Sequence, residues 1–206
     1  MAKFLYEFYT NINCRTNVQA NLRIYHNFWF IIMCILSGTE IKKQLKEEKL
    51  TIEPCDYANI GIASIDLTLG DEFRYFVHHN GPVPISDEAG AKDYQKFSRI
   101  MKCDDGRPYF LGPGQMCLGI TKERVQLPSD LCALVEGRSR FARLGLSVHI
   151  TASFINPGSN NQTVLEIFNA SSLTLALYPG TKVCQMIFMT MEGQAHYNGI
   201  FQDQAL

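Results

Sequence analysis

Beyond Pro54 the chain alternates short apolar runs with clusters of Gly, Pro, Asn and Asp, the punctuation of strands and turns. Runs of this kind predict strands at 64–67, 72–76, 117–121, 131–135, 147–150, 164–169, 173–177 and 183–189. Before Pro54 the period changes. Ser37-Gly-Thr-Glu40 has the form of a capping box, in which the serine hydroxyl caps a helix and the glutamate reaches back. Ile41, Leu45 and Leu50 then offer an apolar stripe, with Lys42, Lys43, Glu47 and Glu48 facing water. The stretch 78–102 is polar and reads as a long excursion. One short helix followed by many short strands implies a mainly β fold, a distorted barrel or a double sheet.

Composition narrows the class. At 206 residues and 46% hydrophobic, the chain can bury one sizeable core and reads as a single domain. A net charge of −1 argues against bulk nucleic-acid binding, which needs clustered positive charge. The longest apolar run, 28–36, is too short to span a bilayer, so no membrane partner is expected. The cysteines at 14, 34, 55, 103, 117, 132 and 184 form no C-x-x-C pair and sit mostly in apolar runs. Their odd number and irregular spacing point to reduced, buried thiols and a reducing cytoplasmic compartment. Ahead of Met33, Lys3, Arg15 and Arg23 outnumber Glu7, a balance compatible with an organellar targeting peptide. The plainer alternative is a dispensable extension.

The chemistry concentrates between Glu136 and Glu166. Arg138, Arg140 and Arg143 surround Ser139 in one short segment. Arginine grips phosphate through a planar fork and serine adds a short hydroxyl donor. The alternative is a surface cluster pairing with Glu136 or Asp130. Glu166 sits in the apolar run Val164-Leu165-Glu166-Ile167-Phe168, where strand alternation puts it on one face with Val164 and Phe168. There it could carry a proton between water and a ring nitrogen, or simply face solvent. His149 reads first as a core histidine. No H-x-E with P-C-x-x-C is present, so base deamination by this chain would activate water without zinc.

Five segments, in order, resemble the dCTP deaminases of the trimeric dUTPase superfamily: Ser64-Ile-Asp-Leu67, Arg138-Ser-Arg-Phe-Ala-Arg143, His149 to Glu166, Asn169-Ala-Ser171 and Tyr178-Pro-Gly180. The resemblance begins near Met33, making 33–206 a dUTPase-like (β-clip) domain and 1–32 an extension outside the family. It implies deamination of dCTP to dUTP and ammonia in a homotrimer whose subunits share sites, with dTTP as a possible inhibitor. Catalytic parts fall to Glu166 as general acid and base, and to Ser139, Arg143 and the Ala152 carbonyl as holders of the water. Arg138, Arg140, Phe141, Ala142, Asn156, Val164, Leu165, Tyr197 and Gln204 would line the substrate, and Asp66 would have a structural or metal-proximal part. Magnesium would arrive on the nucleotide phosphates, with no metal ligand from the protein.

Several positions depart from the family pattern. Asn156 replaces the aspartate of the Ile-Asp-Pro-Gly turn, which keeps an acceptor for the sugar but is a poor orienter of water for pyrophosphate release. That disfavours a bifunctional, dUMP-forming enzyme. Arg140 replaces a small serine, Ser159-Asn-Asn161 a glycine-ending turn, and Ile200 a phosphate-binding lysine. These changes motivate a third reading, a nucleotide-binding regulator with reduced catalysis.

Overall fold

The computed structural model describes residues 34–86, 93–202, 204 and 206; the expected extension 1–32 lies outside the described residues. Helix α1 spans Gly38–Lys46. The Ser37 hydroxyl accepts the Glu40 N–H at 3.3 Å, the expected cap. The second half of the box is not formed. Glu40 instead accepts from Lys43 Nζ at 3.3 Å and Gln44 Nε2 at 3.1 Å, because partners three and four residues on compete for the same carboxylate. Ile41 is fully buried; Leu50 is buried too, but beyond the end of the helix.

Strand β1 covers Thr51–Glu53, β2 Ile65–Phe76, β3 Ser98–Lys102, β4 Tyr109–Leu111, β5 Met116–Gln126 and β6 Leu131–Gly137. A one-turn helix α2, Ser139–Ala142, follows. Then come β7 Leu146–Val148, β8 Phe154–Ile155, β9 Asn160–Asn169, β10 Leu175–Leu177 and β11 Lys182–Thr190. The main sheet runs β7-β9-β5-β2-β11-β6-β8, with β1 added to β5 and β3 to β2, while β4 and β10 form a separate ribbon. Every pairing is antiparallel. Register shifts at Leu69/Phe73, Ile120/Arg124 and Lys182/Cys184 bend the long strands. β2 therefore pairs with β11 through its first residues and with β5 and β3 through its last. Bulged strands that change partners in this way curl a sheet into a partial barrel, the mainly β architecture expected from the pattern.

The differences have local causes. The expected strands 64–67 and 72–76 are one element, β2, continuous through a bulge. β3 falls inside the expected excursion; only Ser98 of it is buried, so no alternation marks it. The expected strand 147–150 stops at Val148, because His149 adopts a left-handed φ of 59°. β1, β4 and β8 are two or three residues long and leave no periodic trace.

The core joins Phe73, Phe188, Leu67, Leu69, Leu165, Ile167 and Met186, all fully buried. Phe73 stacks on Tyr109 at a centroid distance of 4.7 Å. Asn169 is also fully buried. Its amide donates to the carbonyls of Leu111 (3.0 Å) and Leu173 (2.7 Å), and its oxygen accepts the Ser171 N–H (3.0 Å) and O–H (2.8 Å). One side chain thus ties the end of β9 to the β4–β10 ribbon. The six described cysteines are free thiols, four of them buried, as expected. No helix among the described residues is long and apolar enough to cross a membrane.

Candidate active site

Strand β9 builds the centre of the site by alternation. Leu165 and Ile167 are fully buried in the core, while Val164, Glu166 and Phe168 share the opposite, half-buried face. Leu118 of β5 is the Cα partner of Glu166, so both side chains leave the sheet on the same side. They open into a cavity of about 460 Å³, with an apolar wall from Met116, Leu118 and Val164. Ala152, Asn156 and Asn161 lie along it, with aromatic rings from Phe76, Tyr94 and Phe154. The tail closes the remaining side through Tyr197, Phe201 and Gln204. It is pinned there by three bonds: Tyr197 N–H to the Pro157 carbonyl (2.8 Å), Asn161 Nδ2 to the Phe201 carbonyl (2.9 Å) and Gln204 Nε2 to the Gln162 carbonyl (3.1 Å).

Among the described residues Glu166 is the one carboxylate lining this cavity, and its polar neighbour is His149. The His149 ring is only 5% exposed, and its Nδ1 lies 2.6 Å from Glu166 Oε2. The angles are not those of a regular hydrogen bond, so both atoms lack one by strict geometry. The imidazole and the carboxylate are nonetheless in direct polar contact. The His149 N–H also donates to the Glu166 carbonyl at 2.9 Å. A non-glycine residue at φ 59° is a strained conformation of the kind that collects at functional sites. His149 therefore belongs to the cavity as well as to the packing, more than its sequence reading as a core residue implied.

Behind the cavity rim, Gly158 at φ 73° lets the turn after Asn156 pass against the His196 ring, where a Cβ would collide. Ser159 Oγ donates to the Asn156 carbonyl at 2.7 Å and holds that turn. The asparagine-rich turn is thus closed by the Ser159 hydroxyl and tied to the tail through Asn161.

The arginine segment lies elsewhere. Arg138 stands at the N-cap position of α2 without a side-chain capping bond, and pairs with Asp66 at 3.1 Å, not with Glu136 or Asp130. Ser139, Arg140, Ala142 and Arg143 are exposed, and Phe141 lines an apolar groove of about 250 Å³ with Leu144, Leu175 and Val183. None of the six lines the Glu166 cavity of its own chain. Of the expected site residues, the fold gathers Glu166, Ala152, Asn156, Val164, Tyr197 and Gln204. It separates Arg138, Ser139, Arg140, Phe141, Ala142 and Arg143 from them. It also turns the Leu165 side chain into the core by strand alternation, which leaves its backbone as the part that could meet a substrate. Phe76, Tyr94, Phe154 and Phe201 were not expected; Phe154 lies within the His149–Glu166 segment, while Phe76, Tyr94 and Phe201 come from distant parts of the chain that only the fold brings to it.

The buried thiols take no part. Burial pushes Cys117 and Cys184 up to about 12, which keeps them protonated and poor as nucleophiles or metal ligands.

Residues 35–191 match the family model described as dCTP deaminase-like. The chain is 40% identical over 161 residues to a dUMP-forming dCTP deaminase of Methanobrevibacter smithii, covering 77% of this chain and 81% of that protein. It is 42% identical over 167 residues to a dCTP deaminase of Marinomonas sp., covering 78% and 85%. Its fold matches the crystal structure of the 2'-deoxycytidine 5'-triphosphate deaminase from Agrobacterium tumefaciens with a TM-score of 0.61 and 21% identity, over 77% of this chain and 48% of that one. The chain spans about half the length of that solved protein. A family match over most of the domain, relatives at 40% identity and a shared fold converge: this chain belongs to the dCTP deaminase-like family.

Proposed function

We propose that the protein hydrolyses the exocyclic amine of dCTP, releasing dUTP and ammonia, with no zinc in the reaction. The observation that carries this reading is the Glu166 carboxylate, set on an apolar wall of a cavity large enough for a pyrimidine nucleoside and held against His149. Glu166 takes a proton from water as its oxygen bonds to C4 of the cytosine ring, delivers it to N3, and a further proton transfer lets the amine leave as ammonia. Ala152 and Asn156 border the same cavity, and the Ala152 carbonyl and the Asn156 amide suit the water and the deoxyribose. Magnesium suits the nucleotide's own phosphates, because among the described residues Glu166 is the one carboxylate lining the cavity and a lone carboxylate cannot form an all-protein cage.

Arg138, on the triphosphate, and Ser139 and Arg143, on the catalytic water, reach the site from a neighbouring copy in a homotrimer. Their separation from their own chain's cavity supports this arrangement. A second reading, onward hydrolysis to dUMP and pyrophosphate, is favoured by relatives named dUMP-forming at 39–41% identity. Asn156 in place of the aspartate weighs against it.

The test is incubation with dCTP and magnesium, with and without a zinc chelator, separating dCTP, dUTP and dUMP and assaying ammonia. dUTP with ammonia is expected, insensitive to the chelator and lost in Glu166→Gln. Mixing subunits of Glu166→Gln and Arg143→Ala should restore part of the activity if sites are shared. dUMP would establish the second reading, and binding without turnover would leave a nucleotide-binding regulator.

A further inference from the structure

We infer that Asp66 is the positioning residue for Arg138, turning that guanidinium into a preset bidentate clamp for a nucleotide phosphate. The inference rests on the phosphate role proposed above for Arg138. Asp66 lies in β2, its Cα partner in β11 is Gln185, and the next partner in β6 is Glu136. Arg138 stands just past the end of β6, two strands from Asp66, and its side chain spans back across β11. There Nη1 meets Asp66 Oδ2 at 3.1 Å and donates to the Lys182 carbonyl at 3.1 Å. That carbonyl is at the β11 bulge between Lys182 and Cys184, where the ladder with β2 slips register.

Both contacts fall on one nitrogen. Nη2 and Nε have no protein partner among the described residues, and these two form the edge that meets a phosphate in parallel, two-point fashion. The Arg138 and Asp66 side chains are 26% and 22% exposed, so the pair is shielded but still reachable by a ligand. The same junction is braced beside the pair: Ser64 Oγ donates to Gln185 Oε1 at 2.9 Å, and Gln185 Nε2 faces the Gly137 carbonyl at 3.5 Å. The Ser-Ile-Asp segment near the start of the domain thus acts on a residue more than seventy positions later.

Two physical effects of Asp66 have opposite signs. As a charge it partly neutralises Arg138 and weakens attraction to phosphate; as an anchor it prepays the ordering of a long side chain. Positioning wins if Asp66→Asn raises the dCTP dissociation constant and KM by on the order of tenfold, with kcat falling much less. Affinity for dCMP should change less than affinity for dCTP, and Asp66→Glu should recover most of the loss. In an Arg138→Ala background, Asp66→Asn should add nothing further. Tighter dCTP binding by Asp66→Asn, or an equal loss in the Arg138→Ala background, would overturn the inference. If Asp66→Asn fails to fold, Asp66→Glu decides alone: equal loss for dCTP and dCMP refutes positioning. Unchanged dCTP affinity in Arg138→Ala would instead remove the phosphate role itself, a distinct failure.

Discussion

Replacing Asn169 by alanine should destabilise the domain more than any surface change, without touching the cavity. The asparagine is fully buried and makes four side-chain hydrogen bonds. Each contributes about 1 kcal/mol net, and a buried partner left unpaired costs about as much again. Leu111 is fully buried, so its carbonyl has no water to turn to, whereas Ser171 lies near the surface and can rehydrate. Discounting the Ser171 pair leaves a loss of about 3 kcal/mol. For a domain of this size that lowers Tm by about 6–12 °C. Asn169→Asp is the sharper comparison. It keeps both acceptor contacts to Ser171, loses both donors to carbonyls and buries a charge, so it should be at least as damaging as alanine. Circular dichroism melts and urea titrations at one fixed protein concentration would measure both, since assembly shifts apparent stability. A loss below about 1 kcal/mol for alanine, or a milder effect for aspartate, would refute the account of Asn169 as the tie between β9 and the β4–β10 ribbon.

Two other outcomes follow from the same geometry. Gly158→Ala places a Cβ at φ 73° against the His196 ring, and should cost about 1–2 kcal/mol while raising the dCTP KM through the displaced Tyr197 segment; an unchanged melt and KM would count against it. Burial raises Cys117 and Cys184 from 9.0 and Tyr109 from 10.0, each to about 12, so the unfolded chain loses these protons first; stability is full below about pH 9 and falls as pH rises toward about 12, and equal melting temperatures at about pH 8 and about pH 10.5 would contradict that sign.

Much of the molecule is written locally. The serine cap of α1, the turn-punctuated strands and the alternation that puts Glu166 opposite Leu165 each depend on residues within a few positions of one another. Such patterns survive without knowledge of the partner, and the ordered motifs carried the family. The buried thiols were legible for the same reason, since apolar runs hold them.

The rest was decided by contacts between distant segments. The Glu40 carboxylate went to Lys43 and Gln44 because they were nearer than the cap. β3 formed where the sequence reads as an excursion, because β2 offered it an edge. Nothing local says that Asp66, rather than Glu136 or Asp130, would hold Arg138, or that His149 would leave strand geometry to meet Glu166. The arginine segment and the carboxylate sit less than thirty residues apart in the chain, yet the sheet carries them to different places, because β6 and β9 lie on opposite sides of β2 and β11. Sequence supplied the chemical groups; the curl of the sheet determined which of them lie together around the Glu166 cavity and which lie apart from it.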